Sequence, residues 1–478
     1  MTALRPEPAT SCSLTPAAVA SAAAYADHWL AFRRRLLRVP GVQAAIWHDD
    51  GLALSVAHGS ADLEAGTALR TDHLFRIASH SKTFTATAVL QLRESGRLRL
   101  DDPLERWLPF LTAAGSPLAS RTVGDLLSHG GGVVRDGADA DFWQLTRPFP
   151  DEAELRALCG PESAVLPAQE RFKYSNVAYS LLGLVIAAAA GEPYNDHVTR
   201  EIVQRLGLTR TGPELDPARA DEYAAGYTAL SYGDRRLPIE HVDTRAMSAA
   251  TGFYGTAEDV CRYASAHFLG DERLLSDDSK RRMQRDQWAV EGTDGTYGLG
   301  LAAQPVGARR MLGHGGGFPG HITRTLFDPV DRLAVSVLTN AIDGPAAELA
   351  TGVVRLVDLA AAQTSPDGDA ETRARFCGRF ASLWGVLDVA DLGGRLFALD
   401  PTAAEPTERA TELRIEDETT LRIVSTPGYG APGESLVLSV GDGGVRSLKG
   451  NGGQTYRPLE EYEAQLSGLE RVAAPSGR

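Results

Sequence analysis

The chain has 478 residues, of which 43% are hydrophobic and 23% charged, so it is long enough for two or three domains around a large core. Its net charge of −14 argues against nucleic acid or an anionic membrane surface as the main partner. The four cysteines (Cys12, Cys159, Cys261 and Cys377) are too scattered for a disulfide framework or a zinc cluster, and we expect each to be a buried free thiol.

The N-terminal part of the chain predicts a helix followed by a β-hairpin. Residues 1–24 lack the cationic start and long apolar run of a signal peptide, and a helix is expected from Ala17 to about Val39. Two strand-like runs, Val42–Trp47 and Leu52–His58, flank the turn sequence Asp49-Asp50-Gly51. We therefore expect a cytoplasmic protein whose first sheet element is a hairpin.

The middle of the chain, residues 70–270, has a mainly helical pattern with long loops. Its longest apolar run, Val177–Ala190, has fourteen residues. A helix of that length is too short to cross a bilayer, so this run predicts a buried helix and no membrane partner.

Strand patterns return after about residue 295. They cover Arg309–Leu312, His321–Phe327 and Leu333–Leu338, and a helix is predicted over Ala346–Ala361. The N-terminal hairpin and this three-strand meander are expected to form one antiparallel sheet with the helical region on a face, which is an α+β fold.

The last hundred residues have a different sequence pattern. Residues 362–370 resemble a linker, and short strands then alternate with Gly-rich or acidic turns. We predict a first domain over 1–361, a linker over 362–372 and a small antiparallel β domain, barrel or sandwich, over 373–470. The core of this β domain, or its interface with the first domain, is expected to contain its apolar residues Phe376, Phe380, Leu383 and Trp384.

Ser79 and Lys82 are the most informative pair of residues. The chain has four lysines against forty-four arginines, and Lys can lose its proton when desolvated whereas Arg cannot. Residues at i and i+3 share a helix face, so a neutral Lys82 amine can take the proton of the Ser79 hydroxyl. The apolar residues around the pair place Ser79 near the start of a buried helix. His80 and Ser81 lie on other faces of that helix and are expected to be structural.

Two further short motifs carry groups suited to catalysis. Tyr174-Ser175-Asn176 precedes the apolar helix; a phenol beside a cationic Lys can be pushed toward its anion, and the Asn176 amide can orient that Lys. His314-Gly315-Gly316-Gly317 follows the first returning strand. Glycines there let a substrate backbone pair along the strand edge, and the N–H groups of Gly317 and Ser79 can form an oxyanion hole.

Together these motifs resemble the serine β-lactamase and penicillin-binding-protein superfamily, in its class C-like branch of esterases, D-aminopeptidases and penicillin-binding-type thioesterases. The resemblance covers roughly residues 20–360 and includes Leu98–Leu104 and Leu126–Gly131. It makes residues 1–361 a β-lactamase-like catalytic domain and implies a lipocalin-like fold for residues 373–470.

The resemblance implies acyl transfer without a metal or organic cofactor. Ser79 forms an acyl-enzyme, Lys82 and Tyr174 share the proton transfers, and Asn176 positions Lys82 and the substrate. Gly316 and Gly317 line the oxyanion and substrate site. His314 stands where the lactamase branch usually has the Lys of Lys-Thr-Gly, which speaks against a true β-lactamase or carboxypeptidase; we assign it a site role.

Two readings of the activity follow from this resemblance. The enzyme is either a hydrolase of esters or of amides of D-residues, or a thioesterase that releases and cyclises nonribosomal peptides. The expected partner is a small-molecule or peptide acyl substrate, carrier-protein-bound or thioester-linked in the second reading. The third, less favoured hypothesis is a sensor that is acylated without turnover. A lipase-like α/β-hydrolase is excluded because the sequence has no Gly-x-Ser-x-Gly elbow.

Overall fold

A computed structural model describes residues 14–363, 365–428, 430–441, 444–450, 453–469 and 471–472. The chain divides into two compact units. The first, which we call the sheet unit, is Leu37–Ala350; the second, the barrel unit, combines Met1–Leu36 with Thr351–Arg478. Cys12 and the predicted turn residues Asp442, Gly443, Asn451 and Gly452 lie outside the described residues.

Both units contain helices, and in most of the sheet unit these alternate with short strands. Their bounds are α1 Pro16–Leu36, α2 Ser81–Glu94, α3 Phe110–Ala113, α4 Val123–Leu127, α5 Glu152–Ala157, α6 Asn176–Ala190, α7 Tyr194–Val198, α8 Ala257–Ser265, α9 Asp277–Gln284, α10 Ala346–Ala361, α11 Ala370–Phe376 and α12 Leu459–Leu466. The strands of the sheet unit are β1 Gly41–His48, β2 Gly51–Asp62, β3 Thr67–Ala68, β4 Phe75–Arg76, β5 Gly226–Tyr227, β6 Pro238–Ile239, β7 Tyr254–Gly255, β8 Trp288–Ala289, β9 Thr296–Tyr297, β10 Ala302–Val306, β11 Arg309–Phe318, β12 His321–Asp328 and β13 Leu333–Thr339.

The predicted antiparallel sheet is confirmed. Its nine strands follow the order β3-β2-β1-β13-β12-β11-β10-β9-β8, and the N-terminal hairpin joins the C-terminal meander where β1 pairs with β13. The prediction missed β8, β9 and β10, of which two are only two residues long and too short to show an alternating pattern. Strand β11 also runs six residues beyond the predicted end at Leu312, through the glycines to Phe318.

Helices α2 and α6 form the centre of the sheet unit. Helix α6 begins where the Ser175 hydroxyl accepts the Ala178 N–H and ends at Gly191, whose φ of 78° is unfavourable for other residues. The predicted buried helix is confirmed, since residues 176–183 of α6 are all buried. Among the described residues no single helix is long and apolar enough to cross a membrane, although the bent pair Asn176–Ala190 and Tyr194–Gln204 passes on length and composition.

The barrel unit contains a closed eight-stranded antiparallel barrel in chain order. Its strands are β14 Gly378–Ser382, β15 Gly385–Leu392, β16 Arg395–Leu399, β17 Thr411–Ile415, β18 Thr420–Ser425, β19 Ser435–Gly441, β20 Gly444–Gly450 and β21 Gln454–Pro458. Apolar side chains fill its interior, Phe376 and Phe380 among them. Leu383 and Trp384, however, are 67% and 83% exposed at the β14–β15 turn, so their predicted burial is wrong: the two-residue turn places them outside the barrel.

Two features of the barrel unit differ from the predicted boundaries. Helix α1 groups with the barrel, where the Tyr25 hydroxyl donates to Asp388 at 2.8 Å and the Trp29 ring packs on Gly352 of α10. The last residues of the predicted linker are helical, because the Asp369 side chain accepts the Thr372 N–H and starts α11. Of the cysteines, Cys159 and Cys261 are buried free thiols as expected, whereas Cys377 is partly exposed.

Candidate active site

Ser79 lies in a single 3-10 turn, Ala78–His80, immediately before α2. It is the one partly exposed residue in the otherwise buried stretch from His73 to Leu90. Ala78 has a φ of 49°, a left-handed conformation that costs energy for a residue with a Cβ and is typical of strained functional sites. Ser79 therefore lies next to the start of a buried helix, as the sequence predicted, and is itself partly exposed.

Lys82 is fully buried directly behind Ser79. Its Nζ lies 3.2 Å from Ser79 Oγ, 2.8 Å from Asn176 Oδ1 and 2.8 Å from the Ala250 carbonyl oxygen. Burial lowers the pKa of Lys82 well below its ordinary value, against an opposing effect of the Asp136 carboxylate.

Burial favours the neutral amine, which can also satisfy all three contacts. A neutral Lys has two N–H donors and one lone pair. The oxygens of Asn176 and Ala250 only accept hydrogen bonds, so they take the two N–H groups of Lys82. The lone pair is then left for the hydroxyl proton of Ser79, and the resting site can abstract that proton without rearrangement.

Tyr174 approaches Ser79 from another side. Its hydroxyl donates to Ser79 Oγ at 2.8 Å, and Lys82 Nζ lies 4.7 Å from the centre of its ring. Burial raises the pKa of Tyr174 well above that of a free phenol, although its contacts with Ser79 and Arg135 oppose the rise. This shift is opposite to the one expected from the sequence, because desolvation of the anion outweighs the charges nearby. The phenol is protonated in the resting site and acts as a donor.

Asn176 links Lys82 to a carboxylate that the sequence analysis missed. The Asn176 Nδ2 group donates to Asp136 Oδ1 at 2.7 Å, while its Oδ1 faces Lys82. Asp136 also accepts from Trp143 Nε1 at 3.1 Å and from Arg135 Nε at 3.2 Å. Asp136 lies in an irregular loop between α4 and α5, where neither periodicity nor spacing marks a functional residue.

The glycines of β11 lie against the segment that carries Ser79. The β11–β12 hairpin closes at the hydrogen-bonded pair of Phe318 and His321. Non-hydrogen-bonded and hydrogen-bonded residue pairs alternate from there along the two strands. Gly317, paired with Ile322, therefore directs its N–H away from β12. Strand β10 covers that edge of β11 only as far as Gly313, so the N–H of Gly317 faces an edge free for a substrate backbone.

His314 lies beside Tyr174, with 6.5 Å between the ring centres. Its Nδ1 is 2.6 Å from the Gly315 carbonyl oxygen and its Nε2 is 3.2 Å from the Tyr297 hydroxyl. Burial lowers the pKa of His314 well below its ordinary value, so the ring is neutral. Because a carbonyl only accepts, Nδ1 carries the proton and Nε2 accepts from Tyr297. Neither ring nitrogen is left for a substrate.

The other residues inside or beside the motifs have structural contacts. His80 bonds Ile77 and Thr325 through its two ring nitrogens, and the Ser81 hydroxyl donates to the Ala78 carbonyl oxygen at 2.6 Å. His129 was also missed as a neighbour of the site: its Nδ1 accepts the Ser175 N–H at 3.2 Å, and its ring packs 4.5 Å from that of Tyr174. Among the described residues, no group of three or more His, Cys, Asp or Glu side chains is arranged to hold a metal ion.

The close approach of β11 to Ser79 gives a direct test. A Cβ at Gly316 would lie 2.2 Å from the Ile77 carbonyl oxygen, which cannot move without shifting the turn that holds Ser79. We expect Gly316→Ala to lower the free energy of unfolding by about 1–3 kcal/mol. It should also lower kcat/KM at least ~10-fold, since small displacements of reacting groups are costly.

The matched control is Gly317→Ala, where the nearest atom to the new Cβ is Ile322 Cδ1 at 3.6 Å. Its free energy of unfolding, measured by denaturant titration, should stay near that of the wild type. Equal destabilisation by the two substitutions would contradict the described packing of β11 on Ile77.

Comparisons with known proteins identify the family. The family model described as Beta-lactamase matches residues 31–359, more than half of the chain. The chain belongs to the beta-lactamase family. The chain is 30% identical to esterase EstB of Burkholderia gladioli over 319 residues, which are 59% of this chain and 80% of EstB. It is 28% identical to penicillin-binding protein 4 of Amycolatopsis lactamdurans over 324 residues, 63% of this chain and 81% of that protein. A penicillin-binding protein of Bacillus subtilis is 30% identical, and the chain spans only 60% of its length.

Solved structures of the same kind extend the likeness beyond the sheet unit. A crystal structure of SurE has a TM-score of 0.61 and 26% identity, and it covers 93% of this chain and 99% of its own. A D-amino acid amidase from Ochrobactrum anthropi SV3 has a TM-score of 0.56 and 25% identity, and it covers 67% of this beta-lactamase family chain. The family predicted from the motifs is therefore confirmed, and the chain is a serine acyl-transfer hydrolase of the beta-lactamase and penicillin-binding-protein type.

Proposed function

We propose that this enzyme transfers the acyl group of a peptide-like thioester through an acyl-enzyme on Ser79, and that an amine of the same or another molecule receives it. The observation that carries the proposal is the position of Ser79 Oγ between Lys82 Nζ at 3.2 Å and the Tyr174 hydroxyl at 2.8 Å. A hydroxyl with a base on one side and a proton donor on the other is suited to nucleophilic attack followed by protonation of a leaving group.

Acylation begins when the Ser79 proton moves to the lone pair of Lys82. Ser79 Oγ bonds to the substrate carbonyl carbon, and the oxyanion that develops is stabilised by the N–H groups of Ser79 and Gly317. The tetrahedral intermediate then collapses: the bond to the leaving group breaks, the leaving group takes a proton from the Tyr174 phenol, and protonated Lys82 restores that proton. The neutral Lys82 and neutral Tyr174 of the resting site are regenerated.

Deacylation uses the same groups with an amine or water as the nucleophile. Lys82 accepts the proton of the incoming nucleophile and returns it to Ser79 Oγ as the ester bond breaks, which regenerates neutral Lys82. No cofactor takes part in these steps. The proposal assigns no hydrogen bond from His314 to the substrate, since its role is to hold β11 through Gly315 and Tyr297.

A peptide thioester, free or bound to a carrier protein, is our proposed donor. The unpaired edge of β11 supports a peptide chain over a compact ester, because a strand edge binds extended backbone. A second structure of SurE, with D-Leu, is 25% identical to this chain. This likeness supports a D-residue at the acyl carbon. The eight-stranded barrel fits the lipocalin-like domain expected of a penicillin-binding-type thioesterase. We propose a cytoplasmic location for this reaction.

The second candidate is a cytoplasmic hydrolase of esters or D-amino acid amides. The identity of 30% with esterase EstB and of 25% with a D-amino acid amidase supports it. The two candidates share acylation of Ser79 and differ in whether water or an amine receives the acyl group, which depends on exclusion of water from the site.

Intact-protein mass spectrometry with product analysis tests the proposal. Wild type and Ser79→Ala are incubated with an activated thioester of a short peptide that ends in a D-residue. We expect an acyl adduct on wild type alone and cyclic or amine-coupled product. Free acid as the sole product would contradict transfer to an amine and support the hydrolase instead. Equal acylation and turnover by Ser79→Ala would overturn the assignment of the nucleophile.

A further inference from the structure

The carboxylate of Asp136 is the centre of a hydrogen-bond group behind the reacting residues. Asp136 is 8% exposed, and its two oxygens accept from side chains on three sides. Asn176 Nδ2 and Trp143 Nε1 donate to Oδ1 at 2.7 Å and 3.1 Å, and Arg135 Nε donates to Oδ2 at 3.2 Å. The contact of Asn176 with Lys82 connects this carboxylate to the base.

Asp136 dictates which end of the Asn176 amide faces the base. An ionised carboxylate only accepts hydrogen bonds, so it binds the NH₂ end of the amide and turns the oxygen end toward Lys82. A flipped amide would place two acceptors against each other at Asp136, and its NH₂ group would draw the lone pair of Lys82 away from Ser79. The mismatch at Asp136 would leave buried polar groups without hydrogen-bond partners, which disfavours the flipped amide.

We propose that Asp136 is a positioning residue for acyl transfer, which fixes the Asn176 amide in the orientation that aims the lone pair of Lys82 at Ser79. This inference rests on the proposed function. It assigns Asp136 no contact with the substrate, because the carboxylate reaches the reacting atoms only through Asn176.

The same carboxylate affects the charge of Lys82. Burial lowers the pKa of Lys82, and Asp136 raises it while Arg135 lowers it further. Burial keeps the other ionisable groups near the amine neutral, because it lowers the pKa of the histidines and raises that of the tyrosines: His129, His314, Tyr174 and Tyr179. The charged neighbours of Lys82 at neutral pH are therefore Asp136 and Arg135.

Asp136→Asn separates a positioning role from a merely structural one. The variant keeps the volume of the side chain, but its own amide can bind Asn176 in either orientation. We expect the plateau of kcat/KM for the activated thioester to fall about 10-fold to 100-fold, as for a misplaced reacting group. Without the carboxylate Lys82 loses its proton more readily, so the acid limb of the pH profile should move about one unit toward lower pH.

Two further variants keep the test decisive. Asp139→Asn removes an exposed carboxylate of the same loop, which pairs with Arg147, and should leave the acid limb and the plateau at wild-type values. Asp136→Glu keeps the charge but displaces it by one methylene, so its acid limb should stay in place while its plateau falls. It also serves as the test if Asp136→Asn does not fold.

The inference is overturned if folded Asp136→Asn keeps the wild-type acid limb, whatever its plateau, or if Asp136→Glu keeps the wild-type plateau. A structural role would lower thermal stability and the plateau without moving the limb. In each case the Ser79 adduct of the wild type remains, so the proposed function is judged separately by Ser79→Ala in the same assay.

Discussion

Lys82→Met is expected to lower kcat/KM for acylation about 10³-fold to 10⁴-fold, near the upper end of what a general base contributes. Met fills nearly the same volume but has no lone pair on nitrogen to accept the Ser79 proton. The contacts with Asn176 and the Ala250 carbonyl oxygen are lost with the amine. Single-turnover mass spectrometry of the Ser79 adduct measures the change directly and independently of deacylation.

Lys82→Met should also change how the free energy of unfolding depends on pH. The pKa of Lys82 is lowered in the folded state, so the unfolded chain binds more protons between that pKa and about 10.5. The wild type therefore gains stability relative to Lys82→Met as the pH rises through this window, by up to about 1.4 kcal/mol per pH unit. Urea titrations of the two proteins across that window check the sign.

Lys280→Met is the matched control for the loss of a buried amine. Lys280 is fully buried, and its Nζ donates to the Phe268 carbonyl oxygen at 2.8 Å and to Asp277 at 3.0 Å, outside the site. This variant should lose stability but retain the wild-type rate of acylation per folded molecule. If Lys82→Met acylates within about 10-fold of the wild type, Lys82 is not the base.

Tyr174→Phe is expected to lower kcat/KM about 10²-fold while leaving the acid limb of the pH profile unchanged. The substitution removes the donor 2.8 Å from Ser79 Oγ but keeps the ring contacts with His129 and Lys82. The loss arises because the leaving group no longer receives a positioned proton. The acid limb stays because it reports Lys82. A series of thioesters with leaving groups of increasing pKa should show a deficit that grows with that pKa.

Tyr179→Phe tests whether any buried phenol near Lys82 has the same effect. Lys82 Nζ lies 5.7 Å from the centre of the Tyr179 ring, but the Tyr179 hydroxyl donates to the Leu127 carbonyl oxygen at 2.6 Å. We expect a stability loss of about 1 kcal/mol and kcat/KM near the wild-type value. Equal kinetic effects of the two substitutions would contradict a specific role of Tyr174.

The part of the site that the sequence predicted consists of residues whose types and spacing are tied to regular elements. Ser79 and Lys82 were paired because they are three positions apart at the start of an apolar helix, and Asn176 was found because the Tyr174-Ser175-Asn176 motif precedes another apolar helix. The sheet followed from a hairpin with a clear turn and from three strands of alternating or apolar pattern. Local rules of period and turn chemistry were sufficient in these places.

The rest depended on contacts that no local rule contains. Asp136 lies forty residues before Asn176 in an irregular loop, so its hydrogen bond is a product of the tertiary fold. The direction of the pKa shift of Tyr174 is set by how completely the fold buries the phenol, which its sequence neighbours did not show. Leu383 and Trp384 are apolar yet exposed, since their position in a tight turn outweighs their hydrophobicity.

The contact between helix α1 and the barrel determines the order in which parts of this protein fold during synthesis. Its Tyr25 hydroxyl binds Asp388, which the ribosome adds 363 residues later, about 20 to 70 s at usual rates of translation. During that interval the whole of the sheet unit is made, while the face of α1 that carries Tyr25 has no barrel to contact. The barrel unit therefore closes last, and a nascent chain stalled within the sheet unit displays a bare helix face that chaperones can bind.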